Sequence, residues 1–338
     1  MRSLLNTARL LKEAGHHPVV VTSREGRLSR ECRQHSIPCY TFPIGMWRKV
    51  KSWPFIPLVL YRLLRVVKTE GVNLVCCNTL WDAPYGLLAG RVAGLPVAVF
   101  LRNQHSRELL DKYHVGMADA VFGVSFCCLR GLSPSQRRRA FVIYNALEEM
   151  GSCPRLGDGL TLSIVGRVDT TKGQVEFVEQ VFKRLLKRVN VRLYVVGGAS
   201  AKERWLEGVM RGYEGELGDA FVFTGPVEDV RPYYGADVVV IPSKREAFEG
   251  LPRVAIEAAS LARFVAATDS GGTRGLVFEK TGALVGDVSC LADVIEGALF
   301  LPAFRKKAGL NAGRKAFAMC SRDVHLEALL GRFGGLLC

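Results

Sequence analysis

The chain has 338 residues, enough for two domains, because a single hydrophobic core seldom grows past about 250 to 300 residues. Its 49% hydrophobic and 23% charged composition, with no low-complexity tract or internal repeat, excludes disordered, collagenous and solenoid classes. Residues 1–150 carry 21 Lys and Arg against 10 Asp and Glu, whereas residues 151–338 carry 25 against 22, so most of the net charge of +14 lies in the first half. A basic half suits nucleic acid, anionic lipid or a phosphorylated substrate, and charge alone does not choose among them.

The most apolar run, residues 53–67, is interrupted by Arg62 and Arg65. It falls short of the roughly 20 apolar residues of a bilayer span, so no transmembrane helix is predicted. The opening residues do not read as a signal peptide, and a cytoplasmic place is expected. The ten cysteines fit that compartment. Cys76-Cys77 and Cys127-Cys128 lie inside apolar runs and read as buried small hydrophobes, and no C-x-x-C metal spacing occurs.

In chain order, the first half opens with a helix over 3–14 stopped by Gly15, then strand HPVVVTS, a short helix over 28–35 and strand PCYTF. Strands follow at NLVCCNT, PVAVFLRN, ADAVFGVS and AFVIYN. A doubly wound domain normally opens with a strand and a Gly-rich turn, so the first strand is expected to be missing here, with a reading frame that continues upstream of Met1. The stretch GSCPRLGDG, 151–159, has no periodicity and reads as the break between domains 1–150 and 151–338. The last helix has the option of packing back on the first domain.

Beyond it, strand LTLSIVGR, an amphipathic helix over 174–188, strand VRLYVVGG and a helix over 202–217 alternate. AFVFTGPV, a short helix near 228–234, DVVVIPS, a helix over 252–262 and RFVAATDSGG complete the pattern. Near-continuous Val and Ile runs joined by helices describe parallel sheets covered on both faces. The expected fold is α/β, two Rossmann-like domains facing each other across a cleft.

Two motifs carry chemistry. In Glu249-Gly-Leu-Pro-Arg-Val-Ala-Ile-Glu257 two carboxylates stand eight residues apart, one in a loop and one on the following helix. Glu257 can accept both hydroxyls of a ribose, as an acidic residue does in dinucleotide-binding folds. Glu249 can accept hydroxyls of a donor sugar, and the N–H groups of Gly250 and Leu251 near the helix start can meet phosphate. Earlier, Gly166-Arg-Val-Asp-Thr-Thr-Lys-Gly173 sets Arg167 and Lys172 at a strand end, where fixed cations can stabilise a leaving diphosphate in place of a metal ion. No Asp-x-Asp pair is present, and neither a metal nor another cofactor is expected.

These motifs, with FTGPVEDVRPYYGADVVVIPS and ATDSGGT in order, make the chain resemble the retaining glycosyltransferases of family four, which have the GT-B fold. The resemblance is dense over 160–285 and looser in the first half, where SLLNTARLLKEAGHHPVVVTS and VIYNAL carry it. It implies that Arg167 and Lys172 bind the donor diphosphate, Glu249 the sugar and Glu257 the ribose, with Val227 among the donor contacts. His105 stands where the family often has a cleft-facing His near the reacting sugar, and is a catalytic candidate together with Glu249. Two departures are Gly275, where an acidic residue is common, and the absent Gly-Gly turn before the first helix.

The expected activity is transfer of a sugar, with retention, from a nucleotide sugar to a hydroxyl of a lipid-linked or saccharide acceptor in glycolipid, lipopolysaccharide or polysaccharide synthesis. The alternatives are an inverting transferase, a nucleotide-sugar epimerase, or a donor-binding protein without turnover. Met46-Trp-Arg-Lys-Val-Lys-Ser-Trp-Pro-Phe55 interleaves cations with aromatics, which suits an anionic membrane surface at the inner face, or equally a solvated loop with core-directed rings. No RNA-binding signature is present, and no nucleic-acid partner is expected.

Overall fold

Residues 2–148 and 150–337 are described in a computed structural model of the chain. They form two compact units: residues 1–146 with 321–338, and residues 147–320. The stretch 151–159 is thus part of the second unit, four residues past the boundary. Its backbone is tied there, since Leu156 N–H donates to Gly235 O at 3.0 Å and a Cβ on Gly235 would meet Pro154 O at 2.1 Å.

The first unit runs α1 (Arg2–Glu13), β1 (Val20–Thr22), α2 (Arg27–Gln34), β2 (Cys39–Thr41), α3 (Ile56–Thr69), β3 (Val75–Cys77) and α4 (Ala83–Ala93). It continues with β4 (Val97–Leu101), α5 (Arg107–Lys112), β5 (Ala120–Gly123), α6 (Pro134–Arg137) and β6 (Ala140–Val142). Strands β3, β4, β5 and β6 pair in that order, all parallel, while β1 and β2 form a separate parallel pair. Among the described residues, no strand joins the two sheets. The residues of β4 alternate between two cores, as a strand buried on both faces must. Val97, Val99 and Leu101 meet Leu110 and Val115, while Ala98 and Phe100 meet Leu11 of α1 and residues of the last helix, Leu329 and Phe333.

The second unit runs β7 (Leu160–Val165), α7 (Gln174–Phe177), a single π turn (Val178–Phe182), α8 (Lys183–Leu186), β8 (Val191–Val196), α9 (Trp205–Leu217) and β9 (Phe221–Gly225). It continues with β10 (Val238–Ile241), α10 (Arg253–Ser260), β11 (Phe264–Thr268), β12 (Gly282–Val285), α11 (Leu291–Phe300) and α12 (Pro302–Cys320), and α13 (Arg322–Leu337) is the last helix, in the first unit. Its six parallel strands lie in the order β12-β11-β10-β7-β8-β9. Leu162, Leu193, Val238 and Phe264 from four neighbouring strands share one core with Phe177, Val181 and Met210 from the helices. No helix among the described residues is long and apolar enough to cross a membrane.

Candidate active site

Ligands of open parallel sheets bind beyond the carboxyl ends of the strands, where the order of connection reverses. In the second unit that point lies between β7 and β10, which are neighbours in space though far apart in sequence. Three loops meet there: 166–173 after β7, 242–252 after β10, and 269–275 after β11.

The loops are fastened to each other by backbone. Gly173 has φ +71°, and a Cβ there would lie 2.1 Å from Pro242 O, so only glycine brings the turn bearing Lys172 against the end of β10. Lys244 N–H donates to Thr171 O at 2.8 Å. Glu249 N–H donates to Ser270 O at 3.0 Å and Gly272 N–H to Glu249 O at 2.9 Å, which zips the Glu249 loop to the Gly-Gly segment.

These constraints bring the sequence candidates Lys172 and Glu249 into contact. Lys172 Nζ donates to Glu249 Oε1, and Ser243 Oγ donates to the same oxygen at 3.2 Å. The carboxylate is buried and the ammonium half-buried. Arg167 reaches Asp169 Oδ2 at 2.7 Å from a largely exposed position. Burial raises the Asp169 pKa, but the hydrogen bonds from Thr171 and the Arg167 charge outweigh it and hold the group below its usual value. Gly250 and Leu251 are buried in the same loop, just ahead of α10.

Glu257 lies on α10, 5% exposed. Its Oε2 accepts from the Tyr234 hydroxyl at 2.5 Å, and its Oε1 accepts from Arg253 Nε at 3.1 Å and Nη2 at 2.9 Å. Tyr234 is fully buried and Arg253 bonds Glu148 as well, at 2.9 Å. Ser243, Tyr234, Arg253 and Glu148 surround the candidate carboxylates in the fold, and sequence reading did not single them out. The one signal for any of them is the spacing of Arg253 and Glu257, one helical turn apart.

The other candidates lie elsewhere. Val227 is half-buried after β9, separated from β7 by β8. His105 belongs to the first unit, beyond β4, where its ring meets Trp81 edge-on at 6.1 Å and burial lowers its pKa. Gly275 follows Arg274, whose guanidinium pairs with Asp269. In the basic segment the two tryptophans differ: Trp47 packs edge-on to Tyr85 at 5.3 Å, while Trp53 and Phe55 are exposed. Among the described residues, no group of three or more His, Cys, Asp or Glu could hold a metal ion.

Solved structures with the same fold include Anabaena Alr3699/HepE in complex with UDP-glucose, 18% identical, with a TM-score of 0.83 over 98% of this chain and 96% of that one. A glycosyltransferase from Rickettsia africae is 17% identical, with a TM-score of 0.81 over 99% and 94%. The lipopolysaccharide outer core galactosyltransferase WaaB in apo form is 14% identical, with a TM-score of 0.69 over 99% and 94%. No curated protein sequence matches the chain. With residues 2–148 matching the profile of Glycosyltransferase Family 4 and residues 159–299 that of Glycosyl transferases group 1, the chain is a family-4-like glycosyltransferase of the GT-B fold.

Proposed function

We propose that the protein transfers a hexose from a nucleotide sugar to a hydroxyl of a lipid-linked or saccharide acceptor, with retention of configuration and without a metal ion. The observation that carries this reading is the Lys172–Glu249 pair between the ends of β7 and β10, with Arg167 on the same loop as Lys172. A sugar nucleotide presents both an anionic diphosphate and a ring of hydroxyls. Lys172 and Arg167 receive the diphosphate, Glu249 the sugar hydroxyls, the Gly250 and Leu251 N–H groups the phosphate oxygens, and Glu257 the ribose. The UDP and UDP-glucose in the HepE structures make uridine nucleotides the first donors to try.

Chemistry of this kind needs charge stabilisation rather than a protein nucleophile. As the bond to the anomeric carbon breaks, negative charge grows on the diphosphate, and prepositioned cations stabilise it without reorganising. The acceptor hydroxyl then enters on the face the diphosphate leaves, and the departing phosphate takes its proton. His105, a half-buried residue of the first unit whose pKa burial lowers, is the second catalytic candidate, and Val227 is a donor contact after β9.

The similarity to WaaB, a lipopolysaccharide galactosyltransferase, supports an acceptor in cell-envelope glycolipid or polysaccharide synthesis. The exposed Trp53 and Phe55 beside Arg48, Lys49 and Lys51 support work at the inner, anionic face of a membrane. The test is release of nucleoside diphosphate from UDP-glucose, UDP-galactose, UDP-N-acetylglucosamine or GDP-mannose by the full chain in EDTA. Turnover of one donor upholds the reading, and hydrolysis of none with any envelope glycolipid present defeats it.

A further inference from the structure

Arg253 heads α10 and Glu257 follows one turn later, so the two side chains share a helix face. Glu257 is buried, and its carboxylate is already well occupied. Tyr234 donates to Oε2, and Arg253 donates twice to Oε1. A carboxylate offers about four acceptor positions, of which these bonds take three, and a ribose diol needs two. A nucleotide therefore engages Glu257 through both hydroxyls only after one of these donors gives up a position, and Arg253, which holds two, has a second carboxylate within reach.

The structure supplies a place for it to go. Arg253 Nη2 also donates to Glu148 Oε1 at 2.9 Å, and Glu148 is far more exposed than Glu257, 35% against 7% for the side chains. Burial works against the Arg253 charge, but Glu257 and Glu148 together more than offset it and raise the pKa of the group.

We propose that Arg253 is a positioning residue of the donor site, holding the Glu257 carboxylate while the site is empty and shifting onto Glu148 when the ribose hydroxyls of a nucleoside diphosphate arrive. The proposal rests on the assignment of Glu257 to the ribose. Glu148 keeps the guanidinium paired throughout, so its charge is never left in a half-buried place without a carboxylate. Without Glu148, the guanidinium loses one carboxylate partner, and the ribose competes against a firmer Arg253–Glu257 pair.

The experiment measures binding by calorimetry to the full chain, using whichever of UDP, GDP and ADP binds most tightly and its 2′,3′-dideoxy counterpart. Glu148→Gln is expected to weaken the ribonucleotide about tenfold, the scale of one charge-assisted hydrogen bond, and to leave the dideoxy ligand unchanged. In the Arg253→Met background the same Glu148 substitution is expected to have no effect. Equal weakening of both ligands, or an undiminished Glu148 effect in the Arg253→Met background, overturns the proposal. Glu257→Gln separates the two layers. If it keeps the full preference for ribose over dideoxyribose, the ribose assignment itself fails. If it abolishes that preference while Glu148→Gln does nothing, only the role of Arg253 falls. Melting curves of each variant establish that the protein compared is folded, and Arg253→Lys, which keeps the charge, replaces Arg253→Met should that variant unfold.

Discussion

Lys172 donates to the carboxylate of Glu249, joining the turn after β7 to the loop after β10 across 77 residues of chain. The pair gives each residue a second duty. Lys172 neutralises a buried carboxylate, and in the proposed function the same ammonium receives the donor diphosphate.

Lys172→Ala and Arg167→Ala are therefore expected to differ in stability while sharing a defect in turnover. Each should lower turnover by about 10²-fold or more, the scale of deleting one charge-stabilising group. Lys172→Ala also leaves the Glu249 carboxylate buried without its cation, and should cost about 1–3 kcal/mol in denaturant unfolding. Arg167 is largely exposed, and its removal should change stability by no more than about 0.5 kcal/mol. Full activity in either variant, or complete loss of wild-type activity in EDTA, would count against the assigned roles.

The two carboxylates are expected to separate in binding. Glu257→Gln should weaken the bare nucleoside diphosphate and the full sugar donor alike, because both carry the ribose. Glu249→Gln should weaken chiefly the full donor. Calorimetry with both ligands decides, and equal losses in the Glu249 variant defeat its assignment to the sugar.

Much of this site is legible as strand ends. The runs LTLSIV and DVVVI are short and rich in β-branched residues and read as strands, so the loop after each lies at a carboxyl edge, and Lys172 and Glu249 fall there. Periodicity does not carry which edges are neighbours. The contact of Lys172 with Glu249 depends on β10 pairing with β7, and on Gly173 lying against Pro242. Tyr234 reads as an ordinary aromatic before a strand, and its bond to Glu257 exists only once β10 and α10 have folded together. The domain boundary differs from its expected place for a related reason. The Gly- and Pro-bearing stretch 151–159 looks like a linker by composition, yet its backbone closes onto Gly235. Strand β12 is a four-residue edge strand, GALV, and residues Gly282–Val285 do not read as a strand in sequence.

Membrane binding is expected to depend on Trp53 and Phe55 and not on Trp47. Met46, Val50, Trp53 and Phe55 are exposed and stand among Arg48, Lys49 and Lys51. In sedimentation with vesicles of mixed phosphatidylglycerol and phosphatidylcholine, the Trp53→Ala/Phe55→Ala pair should reduce binding about tenfold, and salt should release the wild type because exposed charges are screened. Trp47→Ala should instead lower stability, by about 2 kcal/mol, since its ring packs on Tyr85 and His114. Salt-insensitive binding, or equal loss with Trp47→Ala at full stability, excludes this surface.

The stability of the first unit is expected to fall with acid through the buried His325 and the half-buried His105. His325 of α13 donates from Nδ1 to Tyr144 O at 2.7 Å and accepts at Nε2 from Thr7 Oγ1 at 3.0 Å, an arrangement that satisfies the neutral ring. Burial lowers its pKa most, the Tyr144 carbonyl pulls it back up, and the Arg102 charge lowers it again, for a net depression. His105 shifts the same way, by burial. A depressed value in the folded state means that the unfolded chain binds more protons as pH falls through about 6.5, the ordinary histidine value. The stabilisation is thus complete above about 6.5 and is lost as pH falls through the folded pKa. Urea unfolding between about pH 7.5 and 5 should show this slope in the wild type. His325→Gln, which can donate and accept but cannot take up that proton, should start lower and lose less over the same interval. If the variant and the wild type fall in parallel, His325 does not carry the acid sensitivity, and His105→Gln becomes the variant that must flatten it.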